Sequence, residues 1–161
     1  MKTLTRTIVW LALVIWVGGL FFFPVTAAAS FTTVADTHVA GTIVAKCLHA
    51  LHHEGLVAGC IILLFLVIGR ARGVYAGAKW AVIVTIIMMG LTAFSEFWII
   101  PHMERDRIAV GGAIDNVPAS EPHHADFNRL HNVSTHVEEA VMLGGLVLII
   151  LLSREECLPR D

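Results

Sequence analysis

The sequence predicts an all-α fold: an integral membrane four-helix bundle, with N and C termini cytoplasmic, forming a single domain over residues 1–161. Three observations predict it. Hydrophobic residues make up 57% of the chain against 15% charged, and the mean hydropathy is +0.76, so a water-soluble fold of this size would have too few polar groups to cover its surface. Several apolar runs reach the ~20 residues needed to cross hydrocarbon. Short polar stretches separate these runs and divide Lys and Arg unequally between two sides.

The spans are expected at about 7–29, 40–69, 75–101 and 126–152. In the first, Lys2 and Arg6 precede a long apolar run ending "FPVTAAAS", a pattern shared with a signal peptide cleaved after Ala29. Ile8 to Phe23 is longer than the ~7–15 residues of such a core, so the segment reads as a retained span. "GRARG" joins the second span to the third. "HMERDRIAVGGAIDNVPASEPHHAD" joins the third to the fourth, with Gly, Pro and charges that cannot continue a lipid-facing helix. The pairs Gly18-Gly19 and Gly144-Gly145 read as close helix contacts.

With four crossings both termini share a side. Lys2, Arg6, Arg70, Arg72, Lys79, Arg154 and Arg160 lie there, against Lys46, Arg105, Arg107 and Arg129 on the other. The positive excess makes the first side cytoplasmic. The expected location is a bacterial inner (plasma) membrane with the histidine-rich face outward. The net charge of -2 and the lack of a Lys/Arg cluster exclude a nucleic-acid partner. Cys47, Cys60 and Cys157 have no regular spacing and define neither a disulfide framework nor a zinc ribbon; Cys60 and Cys157 are expected to pack or face solvent.

All nine histidines fall in the outer loops or the outer third of a span, and most acids join them. Ionised groups inside a span cost ~2.5–3.5 kcal/mol each near its centre, so they turn inward and find partners. Glu96, aligned with Thr92, Met89 and Thr85, and Glu138, aligned with His131, Thr135 and Met142, are the inward candidates. They stand as ligands or proton carriers, or as ion-pair partners of Arg129 or Arg105. His49 and His53, four residues apart on one face, and His131 at the mouth of the fourth span are the candidate metal or haem ligands. His52 and His136 join Glu96 and Glu138 as supporting or additional ligands. The blander reading makes His49 with His53 a satisfied interfacial pair. "EPHH" at 121–124 reads as a solvated loop, and Met88, Met89 and Met142 as packing residues rather than a copper(I) path. The sequon Asn132-Val133-Ser134 lies too close to the membrane to read as a glycosylation site.

"WVGGLFFFPVTAAASF", "AGTIVAKCLHALHHEGLVAG", "FWIIPHMERDR" and "FNRLHNVSTHVEEAVMLGGLVLI" resemble the transmembrane protein 205-like family of small four-span proteins over nearly the whole chain. The anchors are Pro101, Phe127, His131 and Ser134. The resemblance implies a fold and a membrane location and supplies no reaction. The layout is also distantly similar to four-helix membrane proteins that bind haem or handle copper, an analogy of architecture. The chain departs from the family in its density of outer histidines and in Glu138-Glu139, where members tend to be neutral.

The leading functional expectation is a bound transition metal (zinc, iron or copper(II)) or haem, held by His49, His53 and His131 at the outer face. One alternative is a non-catalytic accessory subunit, with His123, His124 and Arg129 meeting other membrane subunits or a second copy. Another is proton-coupled transport of a small solute through Glu96 and Glu138, which four spans without a visible repeat disfavour. Catalysis is not expected: there is no nucleophile motif, phosphate loop or dinucleotide fingerprint, and His131, Ser134 and Glu138 share one helix, where a triad cannot converge.

Overall fold

The computed structural model describes residues 2–75 and 77–157. Arg160, counted above among the charges on the side of the termini, lies outside them, as does the side chain of Cys157. Helix α1 runs Lys2–Thr33, α2 Thr37–Ala71, α3 Lys79–Phe94, α4 Ile100–Ala109 and α5 Pro122–Cys157. A π-helical segment, Ser95–Ile99, joins α3 to α4 into one rod, and a 3-10 turn, Ile114–Asn116, lies in the loop before α5. Four helices are long and apolar enough to cross a membrane: Lys2–Thr33, Thr37–Ala71, Lys79–Ala109 and Pro122–Glu155.

Each rod overruns its expected span. At 1.5 Å per residue these lengths give roughly 46–54 Å, against ~30 Å of hydrocarbon. The third rod overruns furthest, at the end away from the termini, called here the histidine end because the polar residues of α2, α4 and α5 are there. The linker read as a loop from His102 is therefore helical as far as Ala109, and only residues 110–121 leave the rod. Gly and Pro do end it, but charge does not, since past the hydrocarbon a helix carries charge freely. Gly111 and Gly112, at φ 84° and 94°, supply the left-handed conformations that turn the chain. Asp36 caps α2 by accepting from the backbone N–H groups of His38 and Val39 at 2.9 and 3.2 Å. At the other end the third rod starts at Lys79 rather than Tyr75; Val74 and Tyr75 fold under the bundle and are buried.

Two exposed tryptophans on the third rod mark the membrane borders. Trp80 stands beside the Lys79 ammonium, and Trp98 lies about 27 Å further along the helix. Tryptophan collects at both interfaces, and this separation approaches the thickness of the hydrocarbon. Between those levels the rods expose Leu11, Val14, Val57, Leu64, Ile86, Leu143 and Val147, an apolar exterior suited to lipid.

Consecutive rods are neighbours around a ring that α1 and α5 close, so α2 and α5 occupy opposite corners. Trp16, Leu13, Ile62, Leu66, Met88, Leu148 and Leu152 fill the interior. Gly19, Gly144 and Gly145 face neighbouring helices closely, as expected, whereas Gly18 looks onto open space. Among the glycines packed inside the bundle the tightest approach belongs to Gly55 on α2, where a Cβ would run into Trp16 Nε1. An indole enclosed in the core cannot swing aside. Gly55→Ala should therefore cost about 1–3 kcal/mol by overpacking and lower the melting temperature in detergent, while Gly18→Ala should leave it unchanged. Equal melting of the two variants would refute this packing.

Candidate functional site

Three rods deliver ionisable side chains to one level, at the histidine-end border of the hydrocarbon. The face of α2 that carries Gly55, Gly59, Ile62 and Leu66 into the interior also carries His52, which is 1% exposed. His49 and His53 flank it, half-buried and exposed. The π segment supplies Glu96, 5% exposed, and α5 supplies Glu138.

The contacts form a chain. His49 Nδ1 lies 2.8 Å from Glu96 Oε1, and His52 Nδ1 lies 2.9 Å from Glu96 Oε2. His52 Nε2 reaches across the diagonal of the bundle to Glu138 Oε1 at 2.6 Å. His53 donates from Nδ1 to the His49 carbonyl at 2.7 Å and stands 3.5 Å from Glu96 Oε1.

Counting protons defines the chemistry. A nitrogen and a carboxylate oxygen at hydrogen-bond distance need one proton between them. The three contacts linking His49, Glu96, His52 and Glu138 therefore need three. Neutral His49 and His52 would bring one each, so satisfying all three contacts at once takes one additional proton. That proton makes His52 an imidazolium between two carboxylates, or else belongs to a carboxyl group. Removing it breaks a contact and leaves two carboxylates facing a neutral ring in a place of low dielectric.

The π segment explains how Glu96 reaches this position. Pro101 has no N–H and its ring clashes with an α-helical carbonyl one turn back. Just before it the ladder widens by one residue, with the Ile100 N–H donating to Ser95 O. Two phases of buried residues meet there. Thr85, Met88, Thr92 and Ser95 belong to the phase from below, Glu96 and Ile100 to the phase above. The buried methionine is thus Met88, with Met89 packed beside Gly59. The Ser95 hydroxyl is fully buried and has no hydrogen-bond partner among the described residues.

The structure brings together His49, His52, His53, Glu96 and Glu138, and separates the others. His131 is exposed and stacks on Phe127. The bundle-facing stripe of α5 is Ser134, Glu138, Val141, Gly145, Leu148 and Leu152, not the expected His131, Thr135, Glu138 and Met142. The close approach of Gly145 to Val17 fixes that rotation. His136 is exposed and contacts Glu139 at 3.1 Å. Histidines, rather than Arg105 or Arg129, pair with Glu96 and Glu138. His123 holds Asp106 at 3.0 Å; His124 reaches the Val117 carbonyl at 2.9 Å, while its N–H donates to Glu121. Arg129 lines a cleft between α4 and α5.

Among the described residues, no group of three or more His, Cys, Asp or Glu side chains is disposed to hold a metal ion. The nitrogens and oxygens of the network face one another rather than a common centre. His52 was harder to find than its neighbours, because i, i+4 spacing singles out His49 with His53. The available signal was that His52 shares its face with Gly55, Gly59, Ile62 and Leu66.

Residues 11–107 match a family described as Domain of unknown function (DUF4149). No curated protein and no solved structure matches the chain.

Proposed function

The chain belongs to the family described as Domain of unknown function (DUF4149), and we propose that in this four-helix membrane protein the His49–Glu96–His52–Glu138 network is a reversible proton-binding site. One observation carries the reading: His52, buried in the bundle, has a carboxylate oxygen within hydrogen-bond distance of each ring nitrogen. Its proton is exchanged from the histidine end, where His49 and His53 are partly exposed. Towards the termini, Trp16, Ile62, Met88 and Leu148 close the interior. That favours a site that senses or stores a proton over a continuous conduit. Protonation would act on packing, because the network ties α2, the π segment and α5 together.

The charge distribution supports cytoplasmic termini and a histidine end facing outward, in a bacterial plasma membrane, as part of the same proposal. The narrower kinship to transmembrane protein 205-like proteins is likewise proposed, on the motifs around Pro101, Phe127, His131 and Ser134.

The test is infrared difference spectroscopy of the full chain in nanodiscs, cycled between acid and alkaline buffer. The expected result is one proton exchanged per chain, seen as an imidazolium or carboxyl band that Glu138→Gln and Glu96→Gln each remove. A spectrum unchanged in both variants would overturn the proposal.

A second reading retains the metal. Three imidazole Nδ1 atoms lie within 3.5 Å of a Glu96 oxygen, a residue set suited to zinc, iron or copper(II) once the protons are displaced. Stoichiometric zinc binding that Glu96→Gln abolishes would favour it, and a Soret band in the purified protein would favour haem.

A further inference from the structure

A second polar feature lies on the lipid-facing side, away from the proton site. A cleft of about 390 Å³ opens between the end of the third rod and the start of α5. Its lower wall is Trp98, Leu130 and Val133; above them stand Arg105 and Arg129, with Asp126 and Asp106 beside them.

The walls fall at different depths. Trp98 marks the border of the hydrocarbon, and Val133 lies about 31 Å along α5 from Arg154, at the same level. Arg105 is about 10 Å beyond Trp98, and Arg129 about 6 Å beyond Val133. The cleft is therefore apolar where acyl chains are and charged where headgroups are. Trp98 is held in place by stacking on Phe94 and His102, with ring centroids 5.2 and 4.5 Å apart.

The charges are not spent on one another. Arg107, next along α4, is paired with Glu104 and bonded to Thr42. Arg105 and Arg129 have no hydrogen bond or ion pair among the described residues, and both are exposed. Asp106 is engaged by His123, whereas Asp126, near enough to act on His123 through space, has no hydrogen bond or ion pair among the described residues. Two guanidinium groups and one carboxylate without a hydrogen bond, at headgroup depth, complement a ligand carrying both a phosphate and a primary ammonium.

We propose that this cleft binds the headgroup of a zwitterionic aminophospholipid, its phosphate between Arg105 and Arg129, its ammonium on Asp126, and an acyl chain along Trp98 and Val133. A purely anionic headgroup would meet Asp126 unfavourably. A choline headgroup has no N–H to donate to it. The site is independent of the proton-binding network.

The test uses the full chain stripped of lipid in detergent and incubated with equimolar dioleoyl phosphatidylethanolamine, phosphatidylcholine and phosphatidylglycerol, with bound lipid read by native mass spectrometry. Phosphatidylethanolamine should be retained about tenfold over phosphatidylcholine, the value of one charge-assisted hydrogen bond. Asp126→Asn should erase that preference, and Arg105→Gln with Arg129→Gln should remove the adduct altogether. All three side chains are exposed, so the variants should melt like the parent. Equal retention of the three lipids, or a phosphatidylglycerol preference untouched by Asp126→Asn, would overturn the proposal. So would complete displacement by millimolar inorganic phosphate, because a free phosphate would then account for the site.

Discussion

His52→Leu should destabilise this protein more than any other single substitution at the histidine end. The leucine roughly preserves the volume of the ring, so the cost is electrostatic. Glu96 and Glu138 would lose the group that lies between them at 2.9 and 2.6 Å, and Glu96 is 5% exposed. Breaking a buried ion pair by removing one partner costs about 3–5 kcal/mol, because an uncompensated charge is left behind. On a chain of this size that is a fall of roughly 6–20 °C in melting temperature. Combining His52→Leu with Glu96→Gln and Glu138→Gln should recover most of the loss, since neutral amides are far less costly to bury than carboxylates. A His52→Leu variant that melts with the parent would mean that the network does not form.

The second large effect centres on the site. Deleting Phe97 should abolish proton exchange while the bundle stays folded. The π turn contains one residue more than an α turn, so removing one from within it restores a regular ladder without altering the phase of either flanking helix. Phe97 is 67% exposed, so no core is lost. Ile100 would come into phase with Ser95, and Glu96 would move to the flank of the rod, away from His52. The proton-dependent band should vanish from the infrared difference spectrum while circular dichroism stays helical, and melting should fall by roughly 6–12 °C, the ~3 kcal/mol cost of seating Pro101 in a regular ladder. A band that persists in the deletion variant would show that the widened turn does not position Glu96.

The same residues show what the sequence could and could not disclose. The four spans were legible because lipid demands long apolar runs, and they were underestimated because water beyond the membrane tolerates a charged helix. Glu96 and Glu138 were legible as inward groups, because an ionised side chain in such a run has few other options. The rotation of α5 was less so: counting from His131 gives one stripe, and the glycine that decides between stripes, Gly145, shows its role only against Val17 of α1. The i, i+4 spacing of His49 and His53 outweighs, in sequence alone, the small-residue face to which His52 belongs. The π turn depends on how Pro101 is accommodated, and a proline at that place is also compatible with a simple helix end.

The spacing of Trp80 and Trp98 makes membrane thickness a variable for this protein. Rings about 27 Å apart along the helix match a bilayer slightly thinner than the ~30 Å average better than one several ångström thicker. Hydrophobic mismatch in the thicker bilayer would draw Glu96 and His52 below the reach of water. The chain would then be slowed in taking up or releasing its proton by the lipid around it, with no residue changed.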